Sequence, residues 1–268
     1  MNPIESAYIN ALLADASYVS VVSGKTEIER SSALASRMTT SQATFIAGNF
    51  DVVDSVETSG IEGSTGFDAV VWKGKAGSQY DGKVFVSMRG TQGSQDVCDD
   101  IDLAGSGLAH KQLRDVVNWW PRESAPNGQV VQQIAIRETV ISGSPILLED
   151  FVPAVFPAVA TGKLAGVTAI ESLNRHSLGG YMAASFVRLF GARWPVAHLT
   201  TFKSAGFSDP ASSNIENGFG QIANILGSGV WLGRFATASE QTNAFAPGRI
   251  RITSPSNSHS PPSPAGGE

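Results

Sequence analysis

One short run of this chain has the residue types of a nucleophile elbow, the tight turn that raises a catalytic serine at the end of a β-strand. It extends from Arg175 to Gly180 and reads Arg-His-Ser-Leu-Gly-Gly. The elbow pattern is Gly-x-Ser-x-Gly, in which the serine is the nucleophile and the next backbone N–H faces the developing oxyanion. Ser177 is therefore the candidate nucleophile and the Leu178 N–H a candidate oxyanion donor. Arg175 replaces the first glycine of the pattern, so steric strain is expected there.

A second segment has residues that suit the same chemistry. A serine hydroxyl is a weak nucleophile, so it needs a base to take its proton and donors to hold the charge of the attacked carbonyl oxygen. The run from Val84 to Thr91 is apolar and β-branched at its start and ends in Arg-Gly-Thr. A strand that ends in a flexible glycine and a hydroxyl residue is a candidate source of the second donor, which we assign to Thr91.

The surrounding sequence predicts the elements that would hold these residues. A strand over 166–173 leads into the elbow, a helix over 179–190 follows it, and another strand covers 196–202. Strand, helix and strand in this order form a right-handed unit with parallel strands, so the predicted class is α/β. Ligands of such sheets bind beyond the carboxyl ends of the strands, where Ser177 falls.

The remaining elements are predicted from periodicity and turn residues. They are helices over 5–18, 32–46 and 109–120 and strands over 50–56, 67–73, 83–88 and 249–253. Pro121 is expected to end the third of these helices. A strand is expected over 129–140 and an insertion near the active face over 146–159. The whole is expected to form one domain over 1–253, followed by a Ser/Pro-rich disordered tail over 254–268.

On these motifs the chain resembles the lipase class three family of α/β-hydrolases, which includes bacterial triacylglycerol lipases and phospholipases. The resemblance is carried by His176 to Gly180, by Arg89-Gly90-Thr91 and by the run from Asp99 to Leu103. It implies an α/β-hydrolase fold, with a mostly parallel central sheet and flanking helices, incomplete at its C-terminal edge. It also implies that Thr91 contributes to the oxyanion hole and that Asp100 anchors it.

The family order of serine, acid and histidine leaves few candidates for the acid and the base. Asp209 is the candidate acid, with the alternative that its Asp-Pro pair initiates a turn. His259 is the candidate base, although a disordered tail is a poor mount for a group that must reach the serine. The other three histidines are expected to be structural: His176 in the elbow, His110 as a surface or capping residue, and His198 as a core residue in a strand.

Composition narrows the classes of partner and cofactor. The formal net charge is −5 and 16% of the residues are charged, so no basic stripe for nucleic acid is present. Neither a transmembrane segment nor a cleavable signal peptide is recognised, which predicts a soluble chain that is cytoplasmic or secreted by another route. Cys98 is the single cysteine, so an intrachain disulfide is excluded. The aspartates near it lack EF-hand spacing, and neither a metal nor another cofactor is expected.

Two functions follow as hypotheses. In the first, the chain is a serine hydrolase that cleaves carboxylic ester bonds of lipids, as a triacylglycerol lipase or esterase, through an acyl-enzyme on Ser177 and in transient contact with a lipid–water interface. In the second, it is a catalytically impaired lipase-like protein that binds acyl chains or a partner. Arg175 and the missing terminal strand and acid favour the second, and an incomplete sheet predicts self-association through its open edge.

Overall fold

The chain combines helices and strands, as the sequence predicts for an α/β protein. The structure is a computed structural model that describes residues 3–21, 23–57, 65–89, 108–140, 147–176, 179–202, 212–227, 238–245 and 249–253. The described helices are α1 (Pro3–Ala16), α2 (Glu27–Leu34), α3 (Thr40–Asn49), α4 (His110–Ser124), α5 (Gly179–Phe190) and α6 (Ser212–Leu226). The described strands are β1 (Phe50–Glu57), β2 (Asp68–Gly74), β3 (Val84–Met88), β4 (Val130–Val131), β5 (Ile134–Val140), β6 (Leu147–Pro153), β7 (Ala158–Val159), β8 (Ile170–His176), β9 (Val196–Phe202), β10 (Glu240–Phe245) and β11 (Arg249–Thr253).

Seven of the described strands form one sheet, in the order β1-β2-β3-β8-β9-β10-β11. Its centre is parallel, because β3, β8, β9 and β10 run in one direction. Its margins are antiparallel, with β1 and β2 on one side and β11 on the other. Two short ribbons, β4 with β7 and β5 with β6, lie outside this sheet. The α/β class and the parallel unit of β8, α5 and β9 are thus confirmed.

Apolar side chains cover both faces of the sheet and make a three-layer arrangement. One face packs α1 and α3 against the first three strands, through residues that include Leu13, Ile46, Phe50, Trp72 and Phe85. The other face packs α4, α5 and α6 against the central strands, through residues that include Leu113, Trp120, Phe186, Phe190 and Phe219. Burial of each such side chain contributes about 1.5–3 kcal/mol, so these two clusters are the main source of stability.

The single helix predicted over 32–46 is wrong, because α2 ends at Leu34 and a new helix starts at the capping box of Thr39. Thr26 accepts the N–H of Glu29 at the start of α2, and the Glu29 carboxylate accepts the N–H of Thr26. Thr39 and Gln42 make the same reciprocal pair at the start of α3. Each box satisfies two backbone donors that a helix start leaves open, so each helix begins at its own threonine.

Two other predicted boundaries are wrong in this half of the fold. Helix α4 passes through Pro121 and ends at Ser124, whose hydroxyl donates to the Trp120 carbonyl at 2.6 Å. The N–H of Ala125 closes the last turn on the Pro121 carbonyl at 3.0 Å. The predicted strand over 129–140 divides into β4 and β5.

Strand β8 lies closer to the elbow than predicted. It covers Ile170–His176 instead of 166–173, because its backbone pairs with β3 on one side and with β9 on the other. Strand β10 was not predicted at all, and it extends the parallel centre by one strand before β11 turns back. Strand β8 therefore ends at His176, the residue directly before Ser177.

Candidate functional site

The carboxyl ends of β3 and β8 lie side by side in the sheet. The two strands are parallel neighbours, and Met88 at the end of β3 is in register with Arg175. The segment that continues from Met88 contains Arg89 and Thr91, and the segment that continues from β8 contains Ser177. Because both segments leave the same edge of the sheet, this edge is the candidate active site.

The six residues predicted for catalysis lie outside the described residues. They are Ser177, Leu178, Thr91, Asp100, Asp209 and His259. The structure describes the elements that flank them, and their distances from one another stay predictions. Strand β8 ends at His176 and helix α5 begins at Gly179, and the elbow turn between them stays a prediction.

A buried ion pair holds the end of β3. Arg89 is the last described residue before the Gly90-Thr91 step, and its guanidinium lies 2.9 Å from the Asp68 carboxylate, which is almost fully buried. The Arg89 N–H also donates to the Asp68 carbonyl at 2.8 Å. Two contacts between the same residues, one of them charge-assisted, fix the position from which the predicted oxyanion loop departs.

Arg175 does not occupy an open turn. It lies within β8, in register with Met88 on one side and Thr201 on the other, and is only 1% exposed. The strand pairs continuously through it, so the long side chain is accommodated inside the fold. Because Arg175→Gly removes a large packed side chain, we expect it to destabilise the fold and not to relieve the steric strain that the elbow pattern predicts.

A buried polar network supports the face of β8 that is turned toward α1. The Asn10 side-chain amide donates to the Thr200 hydroxyl at 3.2 Å. The Asn174 side-chain amide donates to the side-chain oxygen Oδ1 of Asn10 at 3.5 Å. All three residues are almost fully buried, and Asn174 is in register with Thr200. The network joins α1 to the two strands that end at the candidate site.

His110, which was predicted to be a surface or capping residue, is buried. Its Nδ1 lies 3.1 Å from a carboxylate oxygen of Glu149, and the two side chains are 6% and 13% exposed. Its ring packs against Phe151 with 5.1 Å between ring centroids. Sequence reasoning missed this pair, because 39 positions separate its members and only tertiary packing of β6 on α4 joins them.

His198 was predicted to be a core residue, and the structure corrects this in part. It lies in β9, but its side chain is 27% exposed and its Nδ1 lies 2.9 Å from the carboxylate of Glu240. Glu240 is the first residue of β10 and is in register with His198. Both residues lie near the amino ends of their strands, whereas Ser177 follows the carboxyl end of the parallel strand β8. They are therefore unsuited to the predicted reaction.

Comparisons with protein-family models, with curated proteins and with solved structures found no match. Within the part of the chain that the structure describes, no set of three or more metal-ligating side chains comes together. None of the described helices combines the length and the apolar character that crossing a bilayer requires.

Proposed function

We propose that this protein is a serine hydrolase that cleaves carboxylic ester bonds of lipids. The observation that supports it best is the parallel pairing of β3 with β8, which sends the Arg-Gly-Thr segment and the elbow segment from neighbouring strand ends. Departure from neighbouring strand ends supports the proposal, since acyl transfer requires the nucleophile and the oxyanion donors to converge on one carbonyl group.

In the proposed reaction the oxygen of Ser177 attacks the carbonyl carbon of an ester. The serine proton passes to a base and then to the leaving alkoxide, which departs as an alcohol. The N–H groups of Thr91 and Leu178 stabilise the oxyanion of the tetrahedral intermediate, and Asp100 anchors the loop of Thr91. Water then hydrolyses the acyl-enzyme, which releases a carboxylic acid and restores the serine.

Covalent labelling tests the nucleophile directly. The intact chain is treated with a fluorophosphonate, and the modified residue is located by mass spectrometry. We expect an adduct at Ser177 that Ser177→Ala abolishes, whereas Ser36→Ala, which changes an exposed serine of the turn after α2, leaves labelling unchanged. Absence of an adduct on the folded chain overturns the proposal and favours the non-catalytic lipase-like protein.

Turnover of ester substrates tests the substrate class. p-Nitrophenyl esters of increasing acyl length and a triacylglycerol emulsion are compared, with Ser177→Ala as the blank. We expect hydrolysis well above the blank, and a loss of about 100-fold or more in kcat when Leu178 or Thr91 can no longer donate to the oxyanion. Activity on short soluble esters alone would limit the protein to an esterase.

A further inference from the structure

Most of the exposed apolar side chains lie on one part of the fold. Of the nine large apolar side chains that are exposed in the described residues, six lie in 130–159. Val155 and Phe156, in the loop that joins β6 to β7, are 87% and 81% exposed. Val130 and Val159 are in register in β4 and β7, and both are exposed as well. We call these four residues the ribbon face. Exposed apolar surface of this kind marks a site of interaction.

The chain around the ribbon face carries no charge. Segments 125–136 and 151–162, of twelve residues each, contain no Asp, Glu, Lys or Arg, although 16% of the chain is charged and its formal net charge is −5. Two copies of such a chain repel each other, and an uncharged face is where this repulsion is weakest. The cores of protein interfaces are likewise depleted of charged residues and enriched in aromatic ones. The composition of these segments therefore fits a contact between copies of this chain.

A pocket of about 230 Å³ lies beside the ribbon face. Pro121, Val131 and Trp194 line it and are themselves buried, so they form its floor. Polar side chains, which include those of Gln129 and Arg193, contribute to the rest of the lining. An apolar cavity of about 150 Å³ is large enough to hold a benzene ring. This pocket therefore accommodates the phenyl ring of a phenylalanine.

The exposed ring of Phe156 and the pocket are neighbours on the same ribbon. Phe156 does not line the pocket of its own chain. It lies two residues before Ala158, which is in register with the pocket residue Val131. Two residues span at most about 7 Å, so the ring and the pocket lie side by side. A two-fold axis between them lets the ring of each copy meet the pocket of the other, and such a contact closes at two chains.

Hydrogen bonds hold the ribbon face on the end of α4. The Gly128 N–H donates to the Ala160 carbonyl at 2.9 Å, directly beside the β4–β7 pair. The Thr161 N–H donates to the Arg122 carbonyl in the last turn of α4 at 2.8 Å. Because the backbone is fixed before association, little conformational entropy is lost when the face is covered.

We propose that two copies of this chain associate through the ribbon face, with Phe156 of each copy seated in the pocket of the other. Nineteen residues of the two uncharged segments are exposed or partly exposed, and a specific interface takes about 20–30 residues from each partner. These segments therefore supply most of one side of a small interface. The contact lies outside the central sheet, so it differs from the open sheet edge that the sequence predicts for self-association. It is independent of the proposed function, because it uses no residue assigned to catalysis.

The oligomeric state of the intact chain and its variants tests the contact. Sedimentation velocity is measured over a concentration series, and we expect a dimer at about 100 µM that dissociates on dilution. Phe156→Ser removes the inserted ring, and we expect dimerisation to weaken by about 30-fold or more, as for a buried aromatic anchor. Gln129→Trp changes an exposed residue that lines the pocket, and filling the pocket is expected to weaken dimerisation as much. Ile28→Ser is the matched control, because Ile28 of α2 is 82% exposed and lies outside the ribbon face.

Cross-linking between two differently tagged chains tests the predicted neighbours. Both chains carry Cys98→Ser, one also carries Phe156→Cys and the other Gln129→Cys. We expect a disulfide between the two tags under mild oxidation, because the ring position of one copy meets the pocket of the other. The pairing of Phe156→Cys with Ile28→Cys is the control and is expected to stay unlinked. Circular dichroism confirms that each variant is folded.

Three outcomes overturn the inference. The first is an intact chain that stays monomeric at about 100 µM. The second is a dimer that Gln129→Trp and Phe156→Ser both leave intact, which assigns the contact to the sheet edge. The third is a monomer that floats with phosphatidylcholine vesicles and loses this binding in Phe156→Ser, which assigns the ribbon face to a lipid surface. If Phe156→Ser does not fold, Gln129→Trp and the cross-link decide. Labelling of Ser177 is measured separately, so failure of the proposed function does not change these results.

Discussion

The two ends of the central strands carry similar charged groups in opposite environments. At the carboxyl ends, the Arg89–Asp68 pair and Arg175 are buried, and the His110–Glu149 pair is buried where the β5–β6 ribbon packs on α4. At the amino ends, the His198–Glu240 and Lys83–Glu171 pairs are partly exposed. The same contact, between a histidine ring nitrogen and a glutamate carboxylate about 3 Å away, thus occurs once in a buried and once in a partly exposed setting.

This difference shows that the carboxyl ends are where burying charged groups costs free energy and requires specific geometry. Removing a charged group from water is unfavourable unless it is paired and hydrogen-bonded, so buried pairs persist only in well-formed geometry. Exposed pairs contribute about 0–1 kcal/mol and place little constraint on their neighbours. The groove of about 510 Å³ at the amino ends fits this contrast, because one of the lysines that line it, Lys83, is partly exposed and paired with the partly exposed Glu171.

The largest expected effect is that of Arg175→Gly at the buried end. The substitution removes a fully buried side chain and puts glycine into a central strand, so we expect a loss of about 3 kcal/mol or more in the free energy of unfolding. The matched control is Arg137→Gly, since Arg137 lies in β5 with its side chain mostly exposed. Urea denaturation measures both variants. Equal losses, or a gain of stability in Arg175→Gly, would show that the buried side chain does not stabilise the fold.

A pair of double-mutant cycles compares the two His–carboxylate pairs directly. We expect a coupling energy of about 2 kcal/mol between His110 and Glu149, because a buried charge-assisted hydrogen bond is strong. Between His198 and Glu240 we expect less than about 1 kcal/mol, because water and salt screen the exposed pair. Alanine variants and chemical denaturation at low and high salt give both values. Similar coupling energies in the two pairs would show that burial does not distinguish them.

A smaller effect is expected in the neutral network below β8. Asn10→Ala removes the partner of Thr200 and Asn174, which are buried with it, so we expect a loss of about 1–3 kcal/mol from unsatisfied polar groups. Asn49→Ala is a control at a partly buried asparagine whose side-chain amide donates to the Phe45 carbonyl of its own helix. Hydrogen exchange of β8 should rise in Asn10→Ala. If β8 stays fully protected, the network does not support the strand.

The smallest effect is a pH dependence next to the buried pair. The hydrogen bond from Gln221, followed by that from Arg137 and the nearby charge of His110, lowers the pKa of the Asp150 carboxyl below its usual range. A lowered pKa in the folded state stabilises the protein above the unfolded pKa of about 3.9, and this contribution is lost as the pH falls through the folded value. We expect Asp150→Asn to flatten the fall in melting temperature between about pH 5 and pH 3 by a few degrees at most. An unchanged acid limb would contradict this assignment.

The elements with strong local patterns could be predicted from sequence. Strands β1 to β3 are runs of β-branched or aromatic residues that turn residues separate. Helix α5 has an apolar face, and Gly191 directly follows its last residue. The polar parts of the sheet were harder to predict: the strand over 166–173 was placed too early because β8 contains Glu171 and Asn174, and β10, which reads Glu-Gln-Thr-Asn-Ala-Phe, was missed. Their hydrogen bonds to neighbouring strands override weak β-propensity, which local sequence does not reveal.

The candidate site divides in the same way. The elbow and the Arg-Gly-Thr segment are contiguous motifs, so sequence alone identifies Ser177 and Thr91 as candidates. The His110–Glu149 pair has no local signature in the sequence. A histidine at a helix start and a glutamate in a strand would each be expected at the surface, although both are buried in the structure. Their contact depends on how the β5–β6 ribbon packs against α4.

The sequence by itself determined the α/β class, the order of the main strands and helices, and the candidate nucleophile, because these depend on periodicity and on neighbours a few residues apart. Only the tertiary structure decided that Arg175 is buried, that one His–carboxylate pair is enclosed and the other partly exposed, and that β10 extends the parallel centre of the sheet. Burial and pairing depend on segments distant in the chain, whose contacts are fixed only when the whole core has packed.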